Sequence, residues 1–204
     1  MNILLIAGMP GVGKTTISSF LSARYNAPVL CKDTFKEVLF DEVGFTCAEE
    51  KDNLDKGATK SMMVAAKAIL AMGSSVILES NFSTRDKDYI AQLEKQGGAR
   101  VVTLRIDCDM DILYQRVIAR DQDPNRHPAH ATNTRYPIPE GERVEYAPMW
   151  NQQEFTQNVE QTGVRYFCYG PTVLANTSDF SKVDYNLIAQ QLDTYILNNT
   201  KKEI

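Results

Sequence analysis

The sequence has few of the residues that build disulfide frameworks and metal sites. Its 204 residues include four cysteines, spread along the chain without C-x-x-C spacing, and two histidines. The cysteine spacing indicates neither a disulfide framework nor a zinc site, and it fits a reducing cytoplasm. The histidines, His127 and His130, have no thiol or carboxylate pattern beside them, so we predict no metal pair there.

The chain also lacks a long apolar run and an excess of positive charge. The N-terminal apolar run is too short for a signal sequence, and no window approaches the length of a membrane span. A formal net charge of −4 gives no electrostatic footprint for a dedicated nucleic-acid or anionic-membrane binder, although it leaves a local basic patch open. We therefore expect a cytoplasmic protein, folded as a single domain over residues 1–204, without a membrane partner or a nucleic-acid partner.

A glycine-rich segment follows the first apolar run directly. Residues 3–7 predict a buried strand, and residues 8–16 read GMPGVGKTT before a segment with helical spacing. The order of strand, G-x-x-x-x-G-K-T loop and helix is the P-loop pattern. A dinucleotide-binding fingerprint would need a third glycine at Thr16, so that alternative is discarded. The sequence therefore predicts a site for nucleotide phosphates.

Each position of this loop has a physical reason to hold phosphate. The glycines lack a Cβ atom, so the backbone can adopt positive φ values and turn its N–H groups inward. The helix from Lys14 adds free N–H groups and its positive dipole end. Lys14 can bridge the outer phosphates, and the Thr15 hydroxyl can ligate the accompanying magnesium. The predicted nucleotide-binding residues of the loop are Gly8, Gly11, Val12, Gly13, Lys14, Thr15 and Thr16.

Two carboxylates follow the second and third predicted strands. Asp33 comes just after residues 29–31, and Glu79 ends the apolar run 75–79. Ligands of an open α/β sheet gather at the carboxyl ends of its strands, so both acids should lie on the P-loop rim. Asp33 has the alternative role of a helix N-cap. Glu79 resembles a Walker B acid, although that pattern is weak by itself, and with Thr15 it forms the predicted magnesium site.

Arginines mark the next candidate region. A predicted helix over residues 109–121 places Arg116 and Arg120 four positions apart on one face. Residues 122–139, which include Arg126, contain four prolines and no periodicity, so we predict an unpacked segment that is either disordered or a functional lid. The arginines would then fold over the transferring phosphate. The alternative is a solvated basic face on which Arg116 and Arg120 only pair with Asp109, Asp121 or Asp123.

Alternation of strands and helices predicts a parallel sheet with right-handed crossovers. The other expected elements are a loop or short helix at 41–53, a long helix at 54–72, one or two short helices at 141–161 with Trp150 as a packing anchor, a closing helix at 183–197, and a frayed end at 198–204.

The chain as a whole resembles the small P-loop kinases grouped with polynucleotide kinase, chloramphenicol phosphotransferase, zeta toxin, gluconate kinase and shikimate kinase, and the related AAA-type predicted kinases. The likeness covers nearly the whole length. It rests on the P-loop, the segments that lead to Asp33 and Glu79, the arginine-bearing helix and residues 176–179. The resemblance implies a three-layer α/β P-loop NTPase fold, a five-stranded parallel sheet of order 2-3-1-4-5, and a LID segment at about residues 120–170.

The resemblance also implies roles for individual residues. Asp33 is similar to the catalytic base of these kinases, and Arg116, Arg120 or Arg126 to their LID arginine. The segment that ends at Asp179 is similar to the adenine-side loop. We therefore expect Asp179 and Arg116 to contact the nucleotide, and Lys14 to act in catalysis with Asp33 and the three arginines.

The chain departs from the pattern of this family in two places. Position 79 is Glu rather than Asp, and residues 122–169 match no single member. These departures leave the acceptor open. The expected activity is ATP- and magnesium-dependent transfer of the γ-phosphate to a hydroxyl of a small-molecule or nucleoside-like acceptor. The alternatives are a polynucleotide 5′-hydroxyl kinase, and a regulatory or toxin-like nucleotide-binding module with incidental ATPase activity.

Overall fold

The structure, a computed structural model, describes residues 1–145 and 151–197. Strands and helices alternate through most of the chain. The strands are β1 Asn2–Ala7, β2 Val29–Cys31, β3 Val76–Ser80, β4 Arg100–Asp107 and β5 Thr172–Asn176. The helices are α1 Lys14–Tyr25, α2 Lys32–Val43, α3 Ala48–Ala71, α4 Lys87–Gly97, α5 Met110–Asp121, α6 Gln152–Thr162 and α7 Tyr185–Ile196.

All five strands are parallel and lie in the order 2-3-1-4-5, which confirms the predicted sheet. The central strand β1 pairs with β3 on one side and β4 on the other. Its last residue, Ala7, is in register with Ser80 of β3, while Cys31 of β2 is in register with Glu79. The carboxyl ends of β2 and β3 therefore lie at the edge of the sheet where the P-loop begins.

The sheet has a helical layer on each face, because alternate residues of its buried strands point in opposite directions. Leu4 and Ile6 of β1 pack in a core with α1, α5, α6 and α7. Ile3 and Leu5 pack in a second core with α3 and α4. The three-layer architecture is that predicted from the sequence, and it fixes the strand ends as a common rim.

The helix predicted to begin at residue 54 begins earlier, at Ala48. Gly44 has a φ of 69° and ends α2, so the connection to α3 is a short turn rather than the loop or short helix expected over the whole of 41–53. The backbone N–H and the hydroxyl of Thr46 both donate to the Glu50 carboxylate, at 2.6 and 2.8 Å. These bonds satisfy groups at the start of α3 that the sequence pattern did not reveal.

The prediction that residues 122–139 cannot pack is wrong. Phe45 and Tyr136 exchange two backbone hydrogen bonds, at 2.9 and 2.7 Å, across the turn after α2. Their rings join Phe40 and the fully buried Ala129 in a small apolar cluster. A few aromatic and small residues therefore dock this segment, although they are too widely spaced to produce a periodic signal.

No helix within the described ranges is both long and apolar enough to cross a membrane. Helices α6 and α7 match two of the expected helical regions. The predictions for Trp150 and for residues 198–204 lie outside the described residues.

Candidate active site

The P-loop follows β1 as a compact turn that only glycine permits at two positions. Gly8 has a φ of 151°, and a Cβ atom there would lie 2.4 Å from the Ile106 carbonyl oxygen. Gly13 has a φ of 83°, and its Cβ would lie 2.7 Å from the Phe180 ring. The buried Thr177 hydroxyl donates to the Val12 carbonyl at 2.9 Å and ties the loop to the end of β5. The backbone is thus held in the conformation that a phosphate site needs.

Lys14 is held at the mouth of this loop. Its ammonium donates to the carbonyls of Gly8 and Met9, both at 3.0 Å, and to the Asn81 side-chain oxygen at 2.6 Å. Burial lowers the pKa of Lys14 to about 8, against the opposing attraction of Glu79 and Asp33. An ammonium held among three oxygens, and attracted by two carboxylates, is suited to receive phosphate oxygens.

Glu79 is buried behind the P-loop helix. The residue is only 3% exposed, and its carboxylate accepts hydrogen bonds from the hydroxyls of Thr15, at 2.7 Å, and Ser18, at 2.6 Å. Hydroxyl and carboxylate oxygens are the donors that magnesium prefers, so Thr15 and Glu79 fit this ion. Within the described ranges no three His, Cys, Asp or Glu side chains form a metal-binding group. Phosphate and water oxygens would therefore supply most of the ligands of a magnesium ion here.

Asp33 lies in the first turn of α2, half-buried, on the rim where β2 ends. The N-cap of α2 is Cys31, without a side-chain capping bond, so the alternative role of Asp33 as N-cap is wrong. Asp33 instead borders a polar cavity of about 100 Å³ beside the P-loop. The residues around this acceptor cavity, as we call it, are Pro10, Lys32, Asp33, Lys36, Asp55, Ser80, Asn81, Arg120, Arg126 and His130.

The structure separates the three arginines that the sequence grouped. Arg116 donates to the carbonyls of Thr177 and Ser178, at 2.9 and 3.2 Å. Its guanidinium carbon lies 3.8 Å from the centroid of the Phe180 ring. The Arg116 side chain therefore packs against the loop after β5.

Arg120 and Arg126 line the acceptor cavity instead. Arg126 forms an ion pair with Asp121. In the described part of the chain neither Arg116 nor Arg120 forms an ion pair, so for these two the alternative of aspartate pairing is wrong. Arg116 instead donates to backbone carbonyls, and Arg120 borders the acceptor cavity.

Asp179 is engaged within its own loop. Its carboxylate accepts from the backbone N–H and the hydroxyl of Ser181, at 3.0 and 2.7 Å, and forms an ion pair with Lys182 at 3.1 Å. The Ser181 hydroxyl bond is the main cause that lowers the pKa of Asp179. The neighbouring Phe180, which sequence reasoning missed, is the side chain that contacts both Gly13 and Arg116.

Other site residues that sequence reasoning missed have recognisable spacing. Asn81 lies two positions after Glu79, at the end of the same strand. Ser18 is three residues after Thr15 and so shares its helix face. Lys32 and Lys36 flank Asp33 with i,i+4 spacing, which places both ammonium groups on one side of α2.

A P-loop on a 2-3-1-4-5 parallel sheet, with a carboxylate at the end of the adjacent strand, defines a P-loop NTPase of the small-kinase type. The family model described as "AAA domain" matches residues 4–145. The chain belongs to this AAA domain family, and the resemblance to small P-loop kinases that the sequence predicted is confirmed.

Three solved structures show what the fold is similar to. A protein of inferred kinase activity from Chloroflexus aurantiacus J-10-fl is 26% identical, with a TM-score of 0.73 over 95% of this chain and 97% of its own. A shikimate kinase from Bacteroides thetaiotaomicron is 15% identical, with a TM-score of 0.53 over 96% and 98%. A gluconokinase from Sinorhizobium meliloti 1021 is 13% identical, with a TM-score of 0.53 over 97% of each chain. Among curated proteins none matches the sequence.

Proposed function

We propose that the protein is an ATP- and magnesium-dependent kinase that transfers the γ-phosphoryl group to a hydroxyl of a small molecule. One observation carries this proposal: Asp33 borders the same cavity as Arg120 and as Asn81, the residue that holds the P-loop lysine. A carboxylate, a cation and the phosphate loop thus meet around a space into which an acceptor can bind. The names of the structural neighbours, a shikimate kinase and a gluconokinase, support the same reaction class.

In this reaction Asp33 accepts the proton of the acceptor hydroxyl. The hydroxyl oxygen forms a bond to the γ-phosphorus, and the bond from that phosphorus to the bridging oxygen of ADP breaks. A carboxylate at the acceptor side is needed because the hydroxyl loses its proton as the new bond forms. Asp33 is suited to this role because its carboxylate is half-buried at the cavity wall and is not used as a helix cap.

The remaining charged groups stabilise the transferring phosphoryl group. Lys14 exchanges its bonds to the loop carbonyls and Asn81 for phosphate oxygens, and Arg120 and Arg126, which border the acceptor cavity, add positive charge beside the transferring group. Thr15 and Glu79 would hold magnesium, directly or through a water molecule. When bound, the ion neutralises charge on the phosphate oxygens.

The loop after β5 is suited to the base of the nucleotide. Arg116 and Phe180 stack there, next to Gly13 of the P-loop, and Thr177 fixes the loop to Val12. An aromatic ring and a guanidinium plane are both surfaces on which a purine can stack. In this arrangement Phe180 takes the contact role that the sequence suggested for Asp179.

The size of the acceptor cavity favours a small molecule over a polynucleotide. Its volume is about 100 Å³, below the range of about 300–1,000 Å³ that is typical of small-molecule pockets. The net charge of −4 gives no general attraction for a nucleic-acid backbone. Phosphorylation of a polynucleotide end is therefore the less favoured of the two kinase activities.

A screen for acceptor-stimulated ADP release, with a panel of metabolites and nucleosides, tests the proposal. For an acceptor found in this way, Asp33→Asn should lower kcat about 10²–10⁴-fold, with little change in ATP affinity, because it removes only the base. Asp88→Asn is a matched control, since Asp88 also lies in the first turn of a helix but is exposed on α4. Full turnover by the Asp33→Asn variant would contradict the base assignment.

A further inference from the structure

The lysines of the acceptor cavity are buried to an unusual degree. The side chains of Lys32 and Lys36 are only 20% and 17% exposed. Lysine is rarely buried unless it is paired, because desolvation of an ammonium group is costly. The i,i+4 spacing adds mutual repulsion between the two ammonium groups. Placing both lysines at this wall of the cavity therefore costs the folded protein electrostatic free energy.

One carboxylate serves both lysines. Asp55 of α3 lies 2.7 Å from the Lys32 ammonium and 3.5 Å from that of Lys36. Burial raises the pKa of Asp55, but the two lysines outweigh burial and the pKa is lowered overall. Asp55 is therefore ionised, and it can neutralise only one of the two ammonium groups. One positive charge remains on this wall without a counterion of its own.

Among the described residues no carboxylate other than Asp55 lies within 4.0 Å of the Lys32 or Lys36 ammonium group. Arg126 is paired with Asp121, and Arg120 forms no ion pair among the described residues. Asp33 offsets one charge, but it is the group assigned to the hydroxyl proton. Burial is the strongest influence on the pKa of His130 and lowers it, so this side chain is neutral near pH 7. The acceptor cavity thus has two ammonium groups on one wall that share a single carboxylate.

The lining also restricts what can bind. Of the described residues around the cavity, only Pro10 is apolar, and none is Phe, Tyr or Trp. A nucleoside would find too little space in a cavity of about 100 Å³. A compact, highly polar molecule matches the lining.

We infer, on the basis of the proposed function, that the acceptor is a small hydroxylated oxyanion, with a carboxylate or phosphate group bound at Lys32 and Lys36 and its hydroxyl directed to Asp33. The oxyanion supplies the missing negative charge and accepts hydrogen bonds from both ammonium groups. The hydroxyl at the other end is then positioned beside the base. The chemistry of transfer is the same as above, with the acceptor proton passing to Asp33 and ADP leaving.

The test measures anion binding while a non-hydrolysable ATP analogue and magnesium fill the phosphate loop. Calorimetry with glycerate and glycerol 3-phosphate should show binding, and the neutral glycerol should show none. The two anions share a three-carbon skeleton, so their relative affinities distinguish a carboxylate site from a phosphate site. Lys32→Gln and Lys36→Gln should each weaken the binding of the preferred anion about tenfold or more, since each removes a charge-assisted hydrogen bond.

Two further variants make the test specific. Lys95→Gln, at an exposed lysine in the last turn of α4, should leave anion binding unchanged. Asp55→Asn should tighten anion binding several-fold, because it frees the lysines from their competing carboxylate. A merely structural ion pair would not produce this gain.

The outcomes separate the two proposals. Failure of the ATP analogue to bind would overturn the proposed function itself. Two outcomes would overturn the oxyanion inference alone if the analogue binds. In the first, glycerol binds as well as glycerate and glycerol 3-phosphate; in the second, the lysine substitutions leave the binding of both anions unchanged. Failure of both anions to bind the analogue-loaded protein would also overturn the oxyanion inference alone.

Discussion

Nucleotide binding should weaken as the pH rises through 8, because the charge of Lys14 is lost there. Burial lowers the pKa of this ammonium from its usual 10.5 to about 8. Bound phosphates would surround the same group with negative charge and raise its pKa again. Binding is then coupled to proton uptake whenever the pH exceeds about 8.

The size of this effect follows from the pKa. At pH 7 nearly all molecules carry a charged Lys14, whereas at pH 9 only about one in ten does. A ligand that requires the charged form should therefore bind about tenfold more weakly at pH 9 than at pH 7, a difference of about 1.4 kcal/mol. Uptake of close to one proton per bound nucleotide should accompany binding at pH 9.

Calorimetry with a magnesium-bound, non-hydrolysable ATP analogue measures both quantities, since buffers of different ionisation enthalpy reveal the proton uptake. Lys14→Arg is the matched control, because arginine stays charged throughout this range and its affinity should not change with pH. A wild-type dissociation constant that is the same at pH 7 and pH 9 would refute the reasoning. A pH dependence of equal slope in the Lys14→Arg variant would refute it as well.

Three other perturbations have defined expected outcomes. Glu79→Gln should weaken magnesium-dependent nucleotide binding about tenfold or more in a magnesium titration, while binding without magnesium changes little, because it removes the ionised ligand but keeps an acceptor for Thr15. Phe40→Ala should lower the free energy of unfolding in urea by about 3–5 kcal/mol, whereas Val38→Ala, at an exposed site on the same helix, should change it by less than about 0.5 kcal/mol. Burial holds the pKa of His130 below its unfolded value, so the stability that this side chain contributes is present above about pH 6.5 and is lost as the pH falls below that value. Denaturation of the wild type and of His130→Gln should be measured between pH 7 and pH 5. The free energy of unfolding should fall less steeply with pH in the variant. An equal slope in both proteins would contradict the last prediction.

Much of the fold could be predicted from the sequence because its signals are local and repeated. Apolar runs that end in glycine or an acid indicated the strands, and their alternation with helices predicted the parallel sheet. The order of strands came from the resemblance to known kinases. The start of α3 was misplaced, because Thr46 and Glu50 stabilise it through side-chain bonds that periodicity does not report.

The candidate site was less predictable than the fold. The P-loop, the acid after β2 and the acid near the end of β3 could be located because each has a fixed place relative to a strand end. The arginines could not be sorted, since Arg116 and Arg120 share a helix face but reach different surroundings. Lys32 and Lys36 were missed because their importance depends on Asp55, which lies on another helix. Such contacts exist only in three dimensions.

Helix α2 carries the proposed base and also anchors residues 122–139. Glu37 contacts His130 at 2.8 Å, and Asp41 accepts a 2.5 Å hydrogen bond from the Tyr136 hydroxyl. Any displacement of α2 during turnover would therefore carry this segment with it. A shift of α2 would then move Asp33 and residues 122–139 together, and the spacing between them across the acceptor cavity would be preserved.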